Sequence, residues 1–493
     1  MHSTISTRKP FSFKKTLSLS LTFALAVTNL YAEPQNKMTE IKSTTEDQQA
    51  IAVTIYNSDL ALVKDQRKIR LNQGTNTLAL RDVSAQIRPE TALLRSLTNS
   101  GNLITTEQNF DFDLLTPQKL LEKYVGKTIR IAKTNAKTGE ETIETATVLA
   151  ANNGLVVKIG DRIETNPSGR MIYDNVPDNL RERPTLVTQL QNKTAGEQSV
   201  ELSYLTSGLG WKADYVAELN SKEDAIDLSG WVTLTNTSGT SYHNAKLQLV
   251  AGDVNRVQQH MRPLVKTMRA DAMMAEAAAP MAEESLLEYH LYSLDHLTNV
   301  LDNQTKQVAL LSASNIPAKK SLVLNGSGEY FQFQQGDAEQ KLRVGVFVAF
   351  ENKEAAKLGM PLPKGVMRVY KKDSQGNAQF IGEDQIDHTP KNETVKLKLG
   401  NAFDVTASKK QTDFKNLSKA NKQTVYESAY EITLKNAKKE RVTVTVQENI
   451  SGDWKILSEN QKSSKISSHL VTWNVEIPAE GSSTLTYRIQ NKY

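Results

Sequence analysis

The chain has 493 residues, with 60 Lys and Arg against 55 Asp and Glu and no cysteine. At about 100–200 residues per domain, that length predicts three or four domains with enough chain for several cores. The lack of cysteine excludes disulfide frameworks, thiol catalysis, thiolate zinc sites, cysteine-held iron–sulfur clusters and a lipid anchor on an N-terminal cysteine.

The N-terminus carries an address. Arg8, Lys9, Lys14 and Lys15 precede an apolar run from Leu17 to Val27, which ends near Tyr31-Ala32. This pattern predicts a signal peptide over residues 1–32, cleaved after Ala32, and export to the periplasm or cell envelope. Leu30, three residues before the cut, fits poorly, and Ala24-Leu25-Ala26 offers an earlier site. The rival is an uncleaved anchor, but the run falls short of the roughly 20 apolar residues that a span needs. No later segment is long and apolar enough to cross a bilayer as a helix. Residues 1–32 hold four basic side chains and no acidic one, so the remaining 461 residues carry +1. Such a chain has no global field to draw it to nucleic acid or anionic lipid.

The body reads as mainly β and multi-domain: Ig-like β-sandwich modules, a small SH3-like barrel and one low-complexity linker. A polar linker (33–50) leads into an N-terminal β module (51–112). Within it, Ile69–Leu71 and Thr77–Leu80 flank Asn72-Gln73-Gly74, a hairpin signal. Thr116-Pro117 opens a short helix through Tyr124, since Thr caps well and Pro at the first turn loses no needed bond. Short strands then predict a small barrel insertion over 113–184, with Gly160-Asp161 as a tight turn. Gly126-Lys127-Thr128 lacks the leading glycine of a phosphate loop and follows a helix instead of preceding one.

Alternation resumes in a sandwich over 185–257, breaks in an Ala/Met-rich linker (258–285), and continues through 286–340 into a C-terminal sandwich (341–493). Asn236 and Gly252-Asp253 match Asn436 and Gly452-Asp453 at an offset of 200, as two related sandwich modules would. The intervening strands disagree in phase, which leaves either a bulge or chance.

Tyr204–Asp253 (YLTSGLGWKADYVAELN, then LSGWVTLTNTSGTSYHNAKLQLVAGDV) resembles a bacterial exported family known as domain of unknown function 4139. GLGMPLPKGVMRVYKKD and FIGEDQIDHTP are similar in the same way, and VTIYNSDLALVKD looks like that family's companion module. The resemblance runs from about Thr185 to the C-terminus. It implies a β-sandwich-rich envelope protein related to mucoidy-inhibitor-like proteins, with no established catalytic residues to carry over.

Candidate chemistry is sparse. Asp384, Asp387 and His388, beside Glu383, form the densest polar cluster, and carboxylates near a histidine suit acid–base work or metal binding. On a strand, Asp384 and Asp387 have opposite parity, so a hairpin edge explains them as well. His290 and His296 are roughly 20 Å apart in strand spacing, too far for one metal. Met261, Met268, Met273, Met274 and Met281 lie near His260; thioethers can ligate reduced copper, against a plain reading as a loosely docked Ala/Met segment. Lys409, Lys410, Lys415, Lys419 and Lys422 read as a solvated loop, or else as an anionic-surface patch. Trp211, Tyr215, Trp231, Trp454 and Trp473 fall in strands as core anchors, or in a groove as stacking platforms for sugar rings.

There is no Gly-x-Ser-x-Gly elbow and no His-Glu-x-x-His. The expectation is a non-catalytic binding or scaffolding protein of the envelope, without metal or cofactor, docking an envelope protein or glycan at strand edges. The alternative is an envelope hydrolase acting on glycan or peptide through Asp384, Asp387 and His388.

Overall fold

The computed structural model describes residues 40–98, 101–152, 154–177, 180–255, 281–326, 331–335, 339–418 and 424–493. The expected signal peptide lies outside these residues, as do Met261, Met268, Met273, Met274 and His260. Strand accounts for 65% of the structure and helix for 4%.

Alternation builds the strands. Gln48–Tyr56 buries Ile51, Val53 and Ile55 on one face because successive side chains point to opposite faces. It pairs antiparallel with Leu60–Leu71 and parallel with Tyr242–Ala251, in an eight-stranded sheet that also contains Gly196–Thr206 and Leu93–Ser96. A four-stranded sheet (Ile41–Ser43, Gly74–Arg81, Thr185–Asn192, Leu103–Asp111) shares its core, which joins Val53, Leu71, Leu78, Leu186 and Tyr204. The expected N-terminal module thus contributes strands to the same two sheets as Thr185–Asn192, Gly196–Thr206 and Tyr242–Ala251.

Asn72-Gln73-Gly74 is not a hairpin turn. It is a corner between sheets, because Leu60–Leu71 and Gly74–Arg81 pair with different partners. Asn76, buried, holds the corner: its Oδ1 accepts from Asn72 N–H at 2.9 Å and its Nδ2 donates to the carbonyls of Asn72 and Gly74. Three backbone groups that would otherwise seek a ladder are satisfied this way.

The α-helix Pro117–Lys123 begins as its sequence predicts, with Thr116 Oγ1 accepting from Lys119 N–H at 3.1 Å. Tyr124 and Leu121 bury against Ile131, Val148 and Val157 of a five-stranded sheet. That sheet runs Arg162–Thr165, Val156–Ile159, Glu141–Ala150, Thr128–Thr134, Arg170–Ile172. The expected small barrel is therefore an open sheet, since no ladder joins its first strand to its last.

The largest sheet has a path of ten strands, from Ala378–Ile386 through Gly365–Lys372, Leu209–Leu219, Ala225–Asn236 and Gln304–Asn325 to Gln340–Glu351, and on through Thr394–Asn416, Val425–Asn436 and Gly481–Lys492 to Asp453–Glu459. Gln304–Asn325 and Thr394–Asn416, of 22 and 23 residues, run between two apolar cores. The second core centres on Trp473, Tyr430, Tyr487 and Val444.

The suspected repeat has a structural counterpart. Val442–Asn449 pairs parallel with the Leu322–Asn325 end of Gln304–Asn325, just as Tyr242–Ala251 pairs parallel with Gln48–Tyr56. In both cases the strand follows one that ends in a buried asparagine, Asn236 or Asn436.

Candidate functional site

The segment Gly382–Pro390 enters as the edge strand Ala378–Ile386 and leaves through a turn. Asp384 Oδ2 accepts from Lys398 N–H at 2.7 Å and its Oδ1 from Gln385 N–H at 2.9 Å. Asp387 is exposed, and its carbonyl accepts from Thr389 Oγ1. His388 turns the other way, towards residues distant in sequence. Its Nδ1 accepts from Lys364 N–H at 3.3 Å, and the Asn57 amide lies 3.4 Å from Nε2. Burial, reinforced by the Lys364 ammonium, holds the imidazole below its usual range despite the carboxylates of Asp253 and Asp387. Asp387 and His388 are neighbours, whereas Asp384 spends its carboxylate on the next strand.

These residues brace the loop Gly359–Lys364. Leu362 and Thr389 exchange both backbone hydrogen bonds at 2.9 Å. Asn352, fully buried, accepts from Gly359 N–H and donates to the carbonyls of Met360 and Pro390. Tyr292 and Tyr215 donate to the carbonyls of Pro361 and Pro363, at 2.9 and 2.7 Å. A proline-rich loop cannot form a regular backbone ladder, so side chains from three separate segments, Asn352, Tyr292 and Tyr215, donate to its carbonyls. The GLGMPLPKG and FIGEDQIDHTP motifs are two halves of one clamp.

The remaining candidates separate. His290 Nδ1 lies 2.8 Å from Glu283, and His296 Nδ1 lies 2.6 Å from Asp295. Met281 is buried, and no group of three or more His, Asp or Glu side chains among the described residues is arranged to hold a metal ion. Lys409 departs from the solvated-loop reading: it sits on Thr394–Asn416 and points into the second core. Lys410 and Lys415 lie on the same strand, exposed, while Lys419 and Lys422 are outside the described residues.

Trp211, Tyr215, Trp454 and Trp473 are buried, but Trp231 is only half-buried and faces outward. It stands directly across from Asp214, and the neighbouring strands extend that face with Val216, Tyr370 and Phe380. In register, Trp231, Val216 and Tyr370 step diagonally over Ala225–Asn236, Leu209–Leu219 and Gly365–Lys372, and Phe380 stands directly across from Tyr370 on Ala378–Ile386. Tyr370 and Phe380 meet edge to face at 5.7 Å, and Val216 and Phe380 are 37% and 55% exposed. A polar row crosses the stripe: Gln307 donates to Thr233, Thr233 to Asp214 at 2.7 Å, and Arg368 bonds both Asp214 and Glu383. Flat β faces of this kind offer apolar area with polar groups already oriented at its border. Strand parity alone could have flagged Trp231 as outward, because its neighbours Val232 and Leu234 take the inner positions.

Among the described residues no helix is long and apolar enough to cross a membrane. No curated protein matches the chain. A family model described as Domain of unknown function (DUF4139) matches residues 200–493, from within the strand Gly196–Thr206 to the last residue. That is more than half of the sequence, and the chain belongs to this family of uncharacterised function.

Proposed function

We propose that the protein is an exported, non-catalytic binding protein of the cell envelope that docks an extended glycan on the outer face around Trp231. The observation that carries this reading is the diagonal stripe of Trp231, Val216, Tyr370 and Phe380 beside the Asp214–Arg368–Glu383 row. Aromatic faces stack on the apolar faces of sugar rings, and ion-paired side chains keep free donors and acceptors for hydroxyls. Divergence of Asp384 and His388 supports binding over hydrolysis, because acid–base catalysis needs its groups to meet at one reacting atom. The basic N-terminus with its apolar run supports export.

Tryptophan fluorescence of the chain titrated with soluble envelope polysaccharide tests the proposal. Saturable binding, weakened about tenfold or more by Trp231→Ala and by Arg368→Ala, is expected from losing about 1.5 kcal/mol of stacking or paired contact. Binding unchanged in both variants would remove this face from consideration.

A further inference from the structure

A second site lies on the inner side of the same strands. A cleft of about 280 Å³ opens between the edge strand Ala378–Ile386 and Thr394–Asn416. Its walls are apolar: Leu219, Leu322, Val346, Val348, Ile381 and Leu399, drawn from five strands that also enclose the first core. Two of these strands come together there without forming a ladder. They touch where Lys398 N–H meets Asp384 and where Gly382 lies against the Leu399 carbonyl. Beyond that point, Thr394–Asn416 bulges: four residues, 402–405, oppose the single residue Val344 of the partner strand. The bulge throws Phe403 out at the rim, 94% exposed.

The rim is cationic on balance, with three lysines against two carboxylates. Lys320 and Lys371 converge on one carboxylate, that of Glu223, and Lys438 and Asp404 complete the charged lining. Glu223 is held at a φ of 61°, a conformation that non-glycine residues seldom adopt, in the turn between Leu209–Leu219 and Ala225–Asn236. Two ammonium groups meeting a single carboxylate leave one positive charge in excess, directly above an apolar wall. Because each lysine bonds its own oxygen of Glu223, the spacing of the pair already fits a carboxylate-sized anion.

We infer that this cleft binds a free single-chain anionic amphiphile of the fatty-acid type. Its carboxylate replaces that of Glu223 on Lys320 and Lys371, and its chain lies along Leu322, Val346 and Leu399. The volume sets the class: about 280 Å³ falls just below the roughly 300–1,000 Å³ of small-ligand sites, which suits one alkyl chain and is too small for a two-chain lipid. Charge decides the head group, since a neutral or cationic head would leave the lysine pair bound to Glu223.

Calorimetric titration of the full chain with dodecanoate below its micelle concentration, alongside dodecanol and dodecyltrimethylammonium, tests the inference. One saturable site is expected for dodecanoate, at least tenfold tighter than for the other two. Lys320→Ala with Lys371→Ala should weaken it tenfold or more, and Glu223→Gln should tighten it by removing the resident competitor. Val346→Trp fills the cleft and should abolish binding while the unfolding midpoint stays within a few degrees. The inference fails if dodecanoate does not saturate, if the three heads bind alike, or if Glu223→Gln leaves affinity unchanged or lower. It also fails if the protein sediments with anionic vesicles through Phe403 yet ignores monomeric dodecanoate.

Discussion

Asn236 and Asn436, 200 residues apart, make the same three kinds of hydrogen bond. Each Oδ1 accepts from the backbone N–H two residues on, from Ser238 or Lys438, at 3.0 Å. Each Nδ2 donates to the carbonyl four residues on, Thr240 or Glu440, and to a distant carbonyl, Val300 or Pro478. Both side chains are buried at the end of a strand: after Asn236 the chain passes to the eight-stranded sheet, and after Asn436 it leaves the ten-strand path for Val442–Asn449 within the same sheet.

Either asparagine changed to alanine strands two carbonyls and an amide away from water. The expected cost is about 2–3 kcal/mol for each, read as faster amide hydrogen exchange in Tyr242–Ala251 or Val442–Asn449 respectively. Since the two corners share no hydrogen-bond partner, the double variant should equal the sum to within about 0.5 kcal/mol.

Lys409 and Glu448 form an ion pair at 2.7 Å with both side chains 1% exposed. Lys409 Nζ also lies over the rings of Tyr430, Phe331 and Tyr487, and Tyr487 donates to Glu448. Burial pushes the ammonium below its ordinary range, and the Glu448 carboxylate opposes that shift. Lys409→Met alone strands a buried carboxylate and should cost about 3–5 kcal/mol, whereas Lys409→Met with Glu448→Leu should recover most of it. Urea unfolding followed by Trp473 fluorescence reports on this core.

His388 makes stability depend on pH. Its folded-state pKa is lowered from 6.5 by burial and by Lys364, so the unfolded chain takes up the proton first as pH falls. The stabilising contribution is complete above about pH 6.5 and is lost as pH drops towards the folded value. Thermal melts from pH 8 to 5 should show the midpoint of the parent chain falling more steeply than that of His388→Gln. Equal slopes would place the histidine in solvent.

Gly382 brings two unpaired edges together. Its φ of 150° and the 2.3 Å that a Cβ would leave to the Leu399 carbonyl make Gly382→Ala strained on both counts. We expect a loss of about 1–3 kcal/mol and faster exchange of Lys398 N–H, the donor to Asp384.

Much of the strand architecture was legible because period-two alternation is a local property. The strands around Val53, Trp211, Leu247 and Val444, the helix capped by Thr116, and the Gly160-Asp161 turn all follow from neighbouring residues. Pairing is not local. Nothing near Asn72-Gln73-Gly74 announces that Asn76 turns a hairpin signal into a corner between sheets. Likewise, Lys409 belongs to a run of lysines in sequence, but strand parity and Glu448, 39 residues on, put it in the core.

The zero cysteine count and the four basic residues in the first 32 are facts of the sequence alone. So are the alternating strands and the motifs that placed the chain in its family. Only the tertiary structure decided which carboxylates meet which partners: Asp384 a backbone amide, Glu223 two lysines, Glu448 one buried lysine. The reason is physical. Side-chain direction along a strand depends on the next residue, but a hydrogen-bonding partner depends on which strand the sheet places alongside, and that is set by contacts hundreds of residues apart.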